Sequence, residues 1–142
     1  MRKLLTEAQQ NEIIEAVRSA EKQTSGEIRV HIQARCGEDP YHDAAGVFKR
    51  LKMDATAQRN GVLFFVAYKS RKFAVLGDKG INEAVPSDFW NETIAAMTPL
   101  FQKGEFADAL VAGILKAGEA LKKYFPYQKD DVNELDDGVS YA

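Results

Sequence analysis

Three short polar segments hold the side chains of this sequence that are best suited to chemistry: residues 24–27, 59–61 and 77–80. Within them, the carboxylates of Glu27 and Asp78 and the amide of Asn60 are oxygen ligands of the kind that hard divalent cations take. Two of these segments are flanked by glycines, which expose further backbone carbonyls. Asp54 lies close in sequence to the middle segment and adds a third carboxylate. Glu27, Asn60, Asp78 and Asp54 are therefore the predicted metal ligands.

Arg59 and Lys79 bring positive charge to the same segments and are predicted to bind phosphate or another anion. A guanidinium group can hold a phosphate bidentately. Beside a bound cation that activates water, this arrangement would suit hydrolysis of a phosphate ester, with Asp78 and Arg59 as the catalytic residues. A purely structural interpretation stands beside it, in which Glu27 pairs with Arg59, Asp78 caps a turn and Asn60 shapes a turn.

The hydrophobic pattern predicts the elements that must position these segments. Residues 27–35 alternate between apolar and polar, which is typical of a strand with one buried face, and residues 61–68 form the continuous apolar run of a strand buried on both faces. A short turn leads to a third strand at residues 72–76, so the last two strands should form a hairpin. Helices are predicted after the capping box at Thr6, after Asp39-Pro40, from residues 86–88 until Pro99 kinks or ends the helix, and after Gly104.

Strand direction brings the three polar segments together. A helical crossover makes the first two strands parallel, and the hairpin reverses the third. The starts of the first two strands and the end of the third then meet at one edge of the sheet. We call this edge the rim and define it by residues 24–27, 59–61 and 77–80. The element order predicts an α/β protein, a three-layer α/β/α sandwich with a small mixed β-sheet.

The sequence resembles the TPM domain over about residues 5–125. The resemblance is carried, in order, by TSGEIRV at 24–30, TAQRNGVL at 56–63 and LGDKGI at 76–81, and FW at 89–90 and the segment 101–106 also fit. It implies an α/β/α sandwich with a divalent-cation site in the loops at one end of the sheet. The expected cation is calcium, with magnesium as the alternative. Phosphatase activity is attributed to some members of this family.

Residues and resemblance together predict a divalent-cation-binding TPM-type domain with an interaction or stress-related role. The alternative is a weak metal-assisted phosphatase for phosphate monoesters, in which Asp78 and Glu27 hold the cation and Arg59 steadies the phosphate. The sequence offers no clear general base or nucleophile, which favours the first hypothesis.

The C-terminal residues form a separate candidate. Residues 1–125 are predicted to be the domain and residues 126–142 an acidic tail, which could dock onto it. Five acids and no base occur in residues 130–142. Asp131, Asn133 and Glu134 could form a second metal site, although a solvated tail is the simpler expectation.

Composition narrows the class of protein. The 142 residues have a formal net charge of −2 and one cysteine, which argues against a strongly basic nucleic-acid-binding domain and excludes an internal disulfide. The sequence has neither an apolar leader segment nor a run of about eighteen apolar residues. We therefore expect a cytoplasmic monomer without a transmembrane segment or nucleic-acid partner. A protein partner of unknown identity is compatible with the sequence.

Overall fold

The computed structural model describes residues 5–127 and 138–142. The helices of this part of the chain are α1 (Glu7–Glu21), α2 (Pro40–Arg50), α3 (Lys79–Ala84), α4 (Asn91–Gln102) and α5 (Phe106–Leu121), with a 3₁₀ turn at Met53–Ala55. The strands are β1 (Glu27–Gln33), β2 (Gly61–Ala67), β3 (Lys72–Gly77) and β4 (Val139–Tyr141).

The strands form one mixed sheet in the order β3-β2-β1-β4. β1 and β2 are parallel, with Glu27 beside Gly61, and β2 and β3 are antiparallel, with Val62 beside Gly77. These pairings confirm the predicted crossover and hairpin. They also place the starts of β1 and β2 and the end of β3 at one edge, as the rim requires.

Helices cover both faces of the sheet. On one face, Ile28, Val30 and Ile32 of β1 join the larger core with buried residues of α1, α4 and α5. On the other face, Leu63 and Phe65 of β2 pack in a smaller core with buried residues of α2. The three-layer α/β/α sandwich is therefore confirmed.

Two predicted helix starts are confirmed by their caps. The Thr6 side chain accepts a hydrogen bond from the Gln9 N–H, and the Gln9 side chain accepts one from the Thr6 N–H. These two bonds complete the capping box. Asp39 caps α2 in front of Pro40, and its carboxylate accepts from the backbone N–H of Tyr41 at 3.0 Å.

The prediction for the third helix was wrong at its start, and of the two alternatives at Pro99 the structure excludes an end of the helix there. Residues 87–90 form turns, α4 begins only at Asn91, and it runs through Pro99 to Gln102. Met97 and Phe101, on either side of the proline, are both buried in the larger core. Tertiary packing of this apolar face therefore outweighs the hydrogen bond that Pro99 cannot donate.

Two elements were missed. α3 has six residues and one buried apolar side chain, Ile81, so it has no helical periodicity to detect. β4 lies within the predicted tail and pairs in parallel with β1, with Val139 beside Val30. None of the described helices is long and apolar enough to cross a membrane.

Candidate functional site at the rim of the sheet

Backbone hydrogen bonds join the three rim segments. The Glu27 N–H donates to the Asn60 carbonyl at 3.1 Å, and the Asp78 N–H donates to the Gly61 carbonyl at 2.9 Å. Glu27, Asn60 and Asp78 are 5%, 3% and 6% exposed. The fold therefore brings three polar residues that are usually solvated into nearly full burial at one edge.

The carboxylate of Asp78 accepts hydrogen bonds from two other residues of the rim. Arg59 holds it bidentately, from Nε to Oδ2 at 2.7 Å and from Nη2 to Oδ1 at 3.0 Å. Oδ1 also accepts from the Lys79 N–H at 2.8 Å, which makes Asp78 the N-cap of α3. The structural interpretation gave Arg59 to Glu27, whereas the structure shows Arg59 on Asp78, because the antiparallel end of β3 brings Asp78 to the Arg59 loop.

The two partners of this ion pair differ in burial. The side chain of Arg59 is 44% exposed, whereas that of Asp78 is 6% exposed. The pKa of Arg59 is raised, chiefly because its guanidinium donates hydrogen bonds to Asp78. A buried carboxylate is therefore neutralised by an arginine that reaches it from solvent.

Close backbone packing fixes the arginine loop against α3. Arg59 has a positive φ of 50°, and its carbonyl accepts from the Gly80 N–H at 2.8 Å. A Cβ at Gly80 would lie 2.6 Å from the Arg59 carbonyl oxygen and would also collide with the carbonyl of Gln58. Only a glycine lets the first turn of α3 approach this loop.

The buried polar groups behind the rim are only partly hydrogen-bonded. Asn60 donates from Nδ2 to the Ser25 carbonyl at 2.9 Å. The hydroxyls of Thr56 and Ser25 are buried and have no hydrogen-bond partner within the described residues. Thr56 is 4% exposed and precedes Arg59 by three residues. An unpaired buried hydroxyl is costly, so both oxygens keep unused hydrogen-bonding capacity, although neither residue lines the pocket described next.

A pocket of about 450 Å³ opens beside the ion pair. Its charged lining residues are Lys49, Asp54, Arg59, Asp78, Lys79 and Glu83. Of the predicted site residues, the structure places Asp54, Arg59, Asp78 and Lys79 around this pocket. Glu27 and Asn60 lie at the rim but outside its lining.

Lys49 and Glu83 line the pocket and were missed by the sequence reasoning. Glu83 follows Lys79 by four residues, and Lys79 Nζ lies 3.9 Å from Glu83 Oε1. This i, i+4 pair is the signal that could have found it, but it requires α3 to be recognised as a helix.

No group of three or more acidic, histidine or cysteine residues within 5–127 and 138–142 is arranged to hold a metal ion. Asp78 is committed to Arg59 in this conformation. The second predicted metal site, Asp131, Asn133 and Glu134, lies outside the described residues.

His31 is a buried titratable residue away from the rim. Nδ1 lies 3.0 Å from Ser140 Oγ and Nε2 lies 3.0 Å from Gln33 Oε1, and the ring stacks on Phe65. Burial lowers the pKa of His31 below 6.5, and the charge of Arg50 contributes in the same direction. The folded protein therefore holds this imidazole in its neutral form.

We expect His31 to make the protein less stable in acid. Because its pKa is lower in the folded state, the unfolded chain binds the proton more tightly. The stabilisation is full above about pH 6.5, the ordinary pKa of histidine, and is lost as the pH falls through that value towards the folded pKa. Urea unfolding of wild type at pH 7.5 and 5.5 should show a decrease in stability that is smaller in His31→Gln. His42→Gln, at an exposed histidine, is the matched control and should keep the wild-type decrease. An equal decrease in His31→Gln would contradict the prediction.

The fold and the rim define a class of protein: an α/β/α domain with an arginine-carboxylate site in the loops at one end of its sheet. The family model of the TPM domain matches residues 1–120. The chain therefore belongs to the TPM domain family, and the predicted resemblance is confirmed.

Solved structures agree with this assignment. The chain is 46% identical to the BA42 protein of the psychrophilic bacterium Bizionia argentinensis, covering 100% of this chain and 98% of that one with a TM-score of 0.94. It also matches the N-terminal domain of a P. gingivalis protein (21% identity, 86% and 79% coverage, TM-score 0.70). The N-terminal domain of cg2496 from Corynebacterium glutamicum matches at 11% identity, 95% and 79% coverage and a TM-score of 0.66. These last two likenesses concern the fold alone. A search of the curated proteins gave no match.

Proposed function

We propose that this TPM domain binds a divalent cation, calcium in the first place and magnesium as the alternative, at the rim of its sheet. The bound form would act through interaction with a protein partner. The observation that carries the proposal is the buried carboxylate of Asp78, which depends for its neutralisation on an arginine that is 44% exposed.

A buried carboxylate is stable only beside a positive charge. Arg59 supplies that charge from the solvent side, where 44% of its side chain is exposed. A cation supplies the same charge in a smaller volume. We therefore propose that cation and guanidinium compete for Asp78, so that binding releases Arg59.

A cation on Asp78 would draw its other ligands from side chains that must move towards it, since the described carboxylates are not arranged as a metal site in this conformation. Asp54 and Glu83 border the same pocket and offer further carboxylate oxygens, and the unpaired hydroxyl of Thr56 lies in the same loop as Arg59. Calcium accepts six to eight oxygen ligands in flexible geometry and can include water among them. Release of Arg59 would turn a neutral ion pair into a surface with a free arginine, which is the change that a protein partner could recognise.

Asp78→Asn should weaken cation binding while the fold is retained. Asparagine is as good an N-cap as aspartate, so the change removes the charge and keeps the start of α3. In wild type, addition of calcium chloride should shift amide resonances of residues 24–27, 59–61 and 77–81 in ¹H–¹⁵N spectra. In Asp78→Asn the affinity should fall at least about tenfold, because an ionised ligand is lost.

Asp108→Asn, at an exposed position in the first turn of α5, is the matched control and should bind calcium as wild type does. A wild-type protein whose rim resonances do not move with calcium or magnesium would overturn the proposal. Unchanged calcium affinity in Asp78→Asn would overturn it as well.

A weak phosphatase acting on phosphate monoesters is the second candidate. The observation in its favour is that Lys49, Arg59 and Lys79 border the same pocket as Asp78. If the cation frees Arg59, that arginine can hold a phosphate group bidentately. Hydrolysis of p-nitrophenyl phosphate should then require calcium or magnesium and be lost in both Asp78→Asn and Arg59→Ala. Turnover that survives both changes would count against a catalytic rim.

A further inference from the structure

The sheet has a polar face that the function proposed above does not use. α2 packs on the β2 and β3 part of one sheet face. The β1 and β4 part of that face lies to the side of α2. Alternation along β1 puts Arg29, His31 and Gln33 on this face, and Ser140 of β4 lies beside His31 in the register. We call these four residues the polar shelf.

A cavity of about 590 Å³ lies over the shelf, at the C-terminal end of α2. His31, Gln33 and Ser140 line it together with Arg35 and Arg50. Its described lining residues include two arginines and no aspartate or glutamate. This volume is within the usual range for small-molecule sites.

Arg29 is a third arginine on the same face of the sheet, although it is not among the residues that line the cavity. Its Nε is buried and has no hydrogen-bond partner within the described part of the chain. Arg29 and Arg50 both lie close enough to His31 to disfavour its protonation. A buried donor without an acceptor and a cluster of like charges are both costly, and an anion would relieve both costs.

We propose that the polar shelf is a binding site for the phosphate group of a small phosphorylated molecule. Arg35 and Arg50 present planar forks that match two oxygens of one phosphate group. His31, held in place by Ser140 and Gln33, forms an uncharged floor. Two arginines lining one cavity, with Arg29 on the same face of the sheet, favour a doubly charged phosphate over a singly charged carboxylate.

This site is separate from the rim. Glu27 begins β1 at the rim and Gln33 ends it beside the cavity, so the two lie about 20 Å apart at the usual rise of a strand. Phosphate that binds the shelf should shift resonances of residues 29–35, 48–51 and 139–142. Phosphate that binds the rim would shift residues 59–61 and 77–81 instead, so the two proposals fail separately.

The test is a titration of the whole chain with inorganic phosphate and with glucose 6-phosphate, followed by ¹H–¹⁵N spectra at constant ionic strength. We expect saturable shifts at the shelf and a roughly tenfold loss of affinity in Arg50→Gln, the effect of losing one charged hydrogen-bonding partner. Arg50→Lys, which keeps the charge and loses the fork, should be intermediate. Lys122→Gln removes an equal charge from an exposed site after α5 and should bind as wild type does. Asp78→Asn should leave phosphate binding at the shelf unchanged.

Tighter binding of glucose 6-phosphate than of inorganic phosphate would identify a phosphorylated metabolite as the ligand class, and the reverse order would identify free phosphate. Ala142 also lines the cavity, so a sample with Gly-Ser added after it moves that residue's carboxylate away from the cavity and should bind phosphate equally well. A tenfold gain in that sample would show that the chain's own carboxylate fills the site and would overturn the proposal. Equal shifts with sodium chloride, or Arg50→Gln binding as wild type does, would also overturn it.

Discussion

Gly80→Ala is expected to destabilise the protein by about 3 kcal/mol, the upper part of the range for an overpacked site. The added methyl group would meet the backbone carbonyls of Gln58 and Arg59. Backbone cannot rotate out of the way as a flexible side chain can, so the Arg59 loop and α3 must separate. Their separation also breaks the hydrogen bond from the Gly80 N–H to the Arg59 carbonyl and pulls Arg59 from Asp78. Urea unfolding followed by circular dichroism gives the free energy of unfolding.

Gly46→Ala is the matched control for this change. Gly46 lies within α2, and a Cβ there would meet nothing within 4 Å. Since alanine is the better helix former, this variant should gain about 0.5–1 kcal/mol. The same substitution should therefore have opposite signs at the two glycines. A Gly80→Ala variant as stable as wild type would show that the loop does not pack on α3 as described.

Phe64→Ala is expected to cost about 4 kcal/mol. Phe64 is fully buried on β2, between Val30 of β1 and Val75 of β3. Its ring lies against Gly113 of α5, where an added Cβ would be 3.0 Å from Cε2. Truncation leaves a cavity between the sheet and the helix layer, and a cost of this size is a large part of the stability of a small domain. Chemical denaturation measures it directly.

Leu115→Ala provides the comparison on the same helix. Leu115 is 39% exposed, so its truncation should change the stability by about 0.5 kcal/mol or less. Phe64→Leu keeps most of the volume and should cost clearly less than Phe64→Ala, which keeps the prediction testable if the alanine variant does not fold. Equal costs for Phe64→Ala and Leu115→Ala would contradict the described core.

The ion pair between Arg59 and Asp78 connects stability with the proposed function. Gly80→Ala disturbs this pair through the backbone, whereas Asp78→Asn removes its negative charge. If calcium competes with Arg59, its binding should be weakened in Asp78→Asn, strengthened in Gly80→Ala, which pulls the competing Arg59 away from Asp78, and left unchanged in Gly46→Ala. The same calcium titration on all three proteins separates loss of the ligand from loss of the loop geometry.

Much of the rim could be predicted from the sequence, because the direction of each strand follows from patterns in short stretches of the chain. The alternation at residues 27–33, the apolar run at 61–67 and the turn before residue 72 specify two parallel strands and a hairpin. That topology alone places Glu27, Asn60 and Asp78 at one edge. The helix caps at Thr6 and Asp39 could also be predicted from the sequence, since each depends only on residues within one helical turn.

The sequence by itself therefore determined the α/β class, the rim and membership of the TPM domain family, because these follow from periodicity and from short motifs in order. Only the tertiary structure decided which rim carboxylate Arg59 holds, since that depends on where the end of β3 meets the Arg59 loop. It also decided that α4 continues through Pro99, because packing in the core outweighs a local preference. The same holds for β4, whose three residues carry no signal of their own and become a strand by pairing with β1.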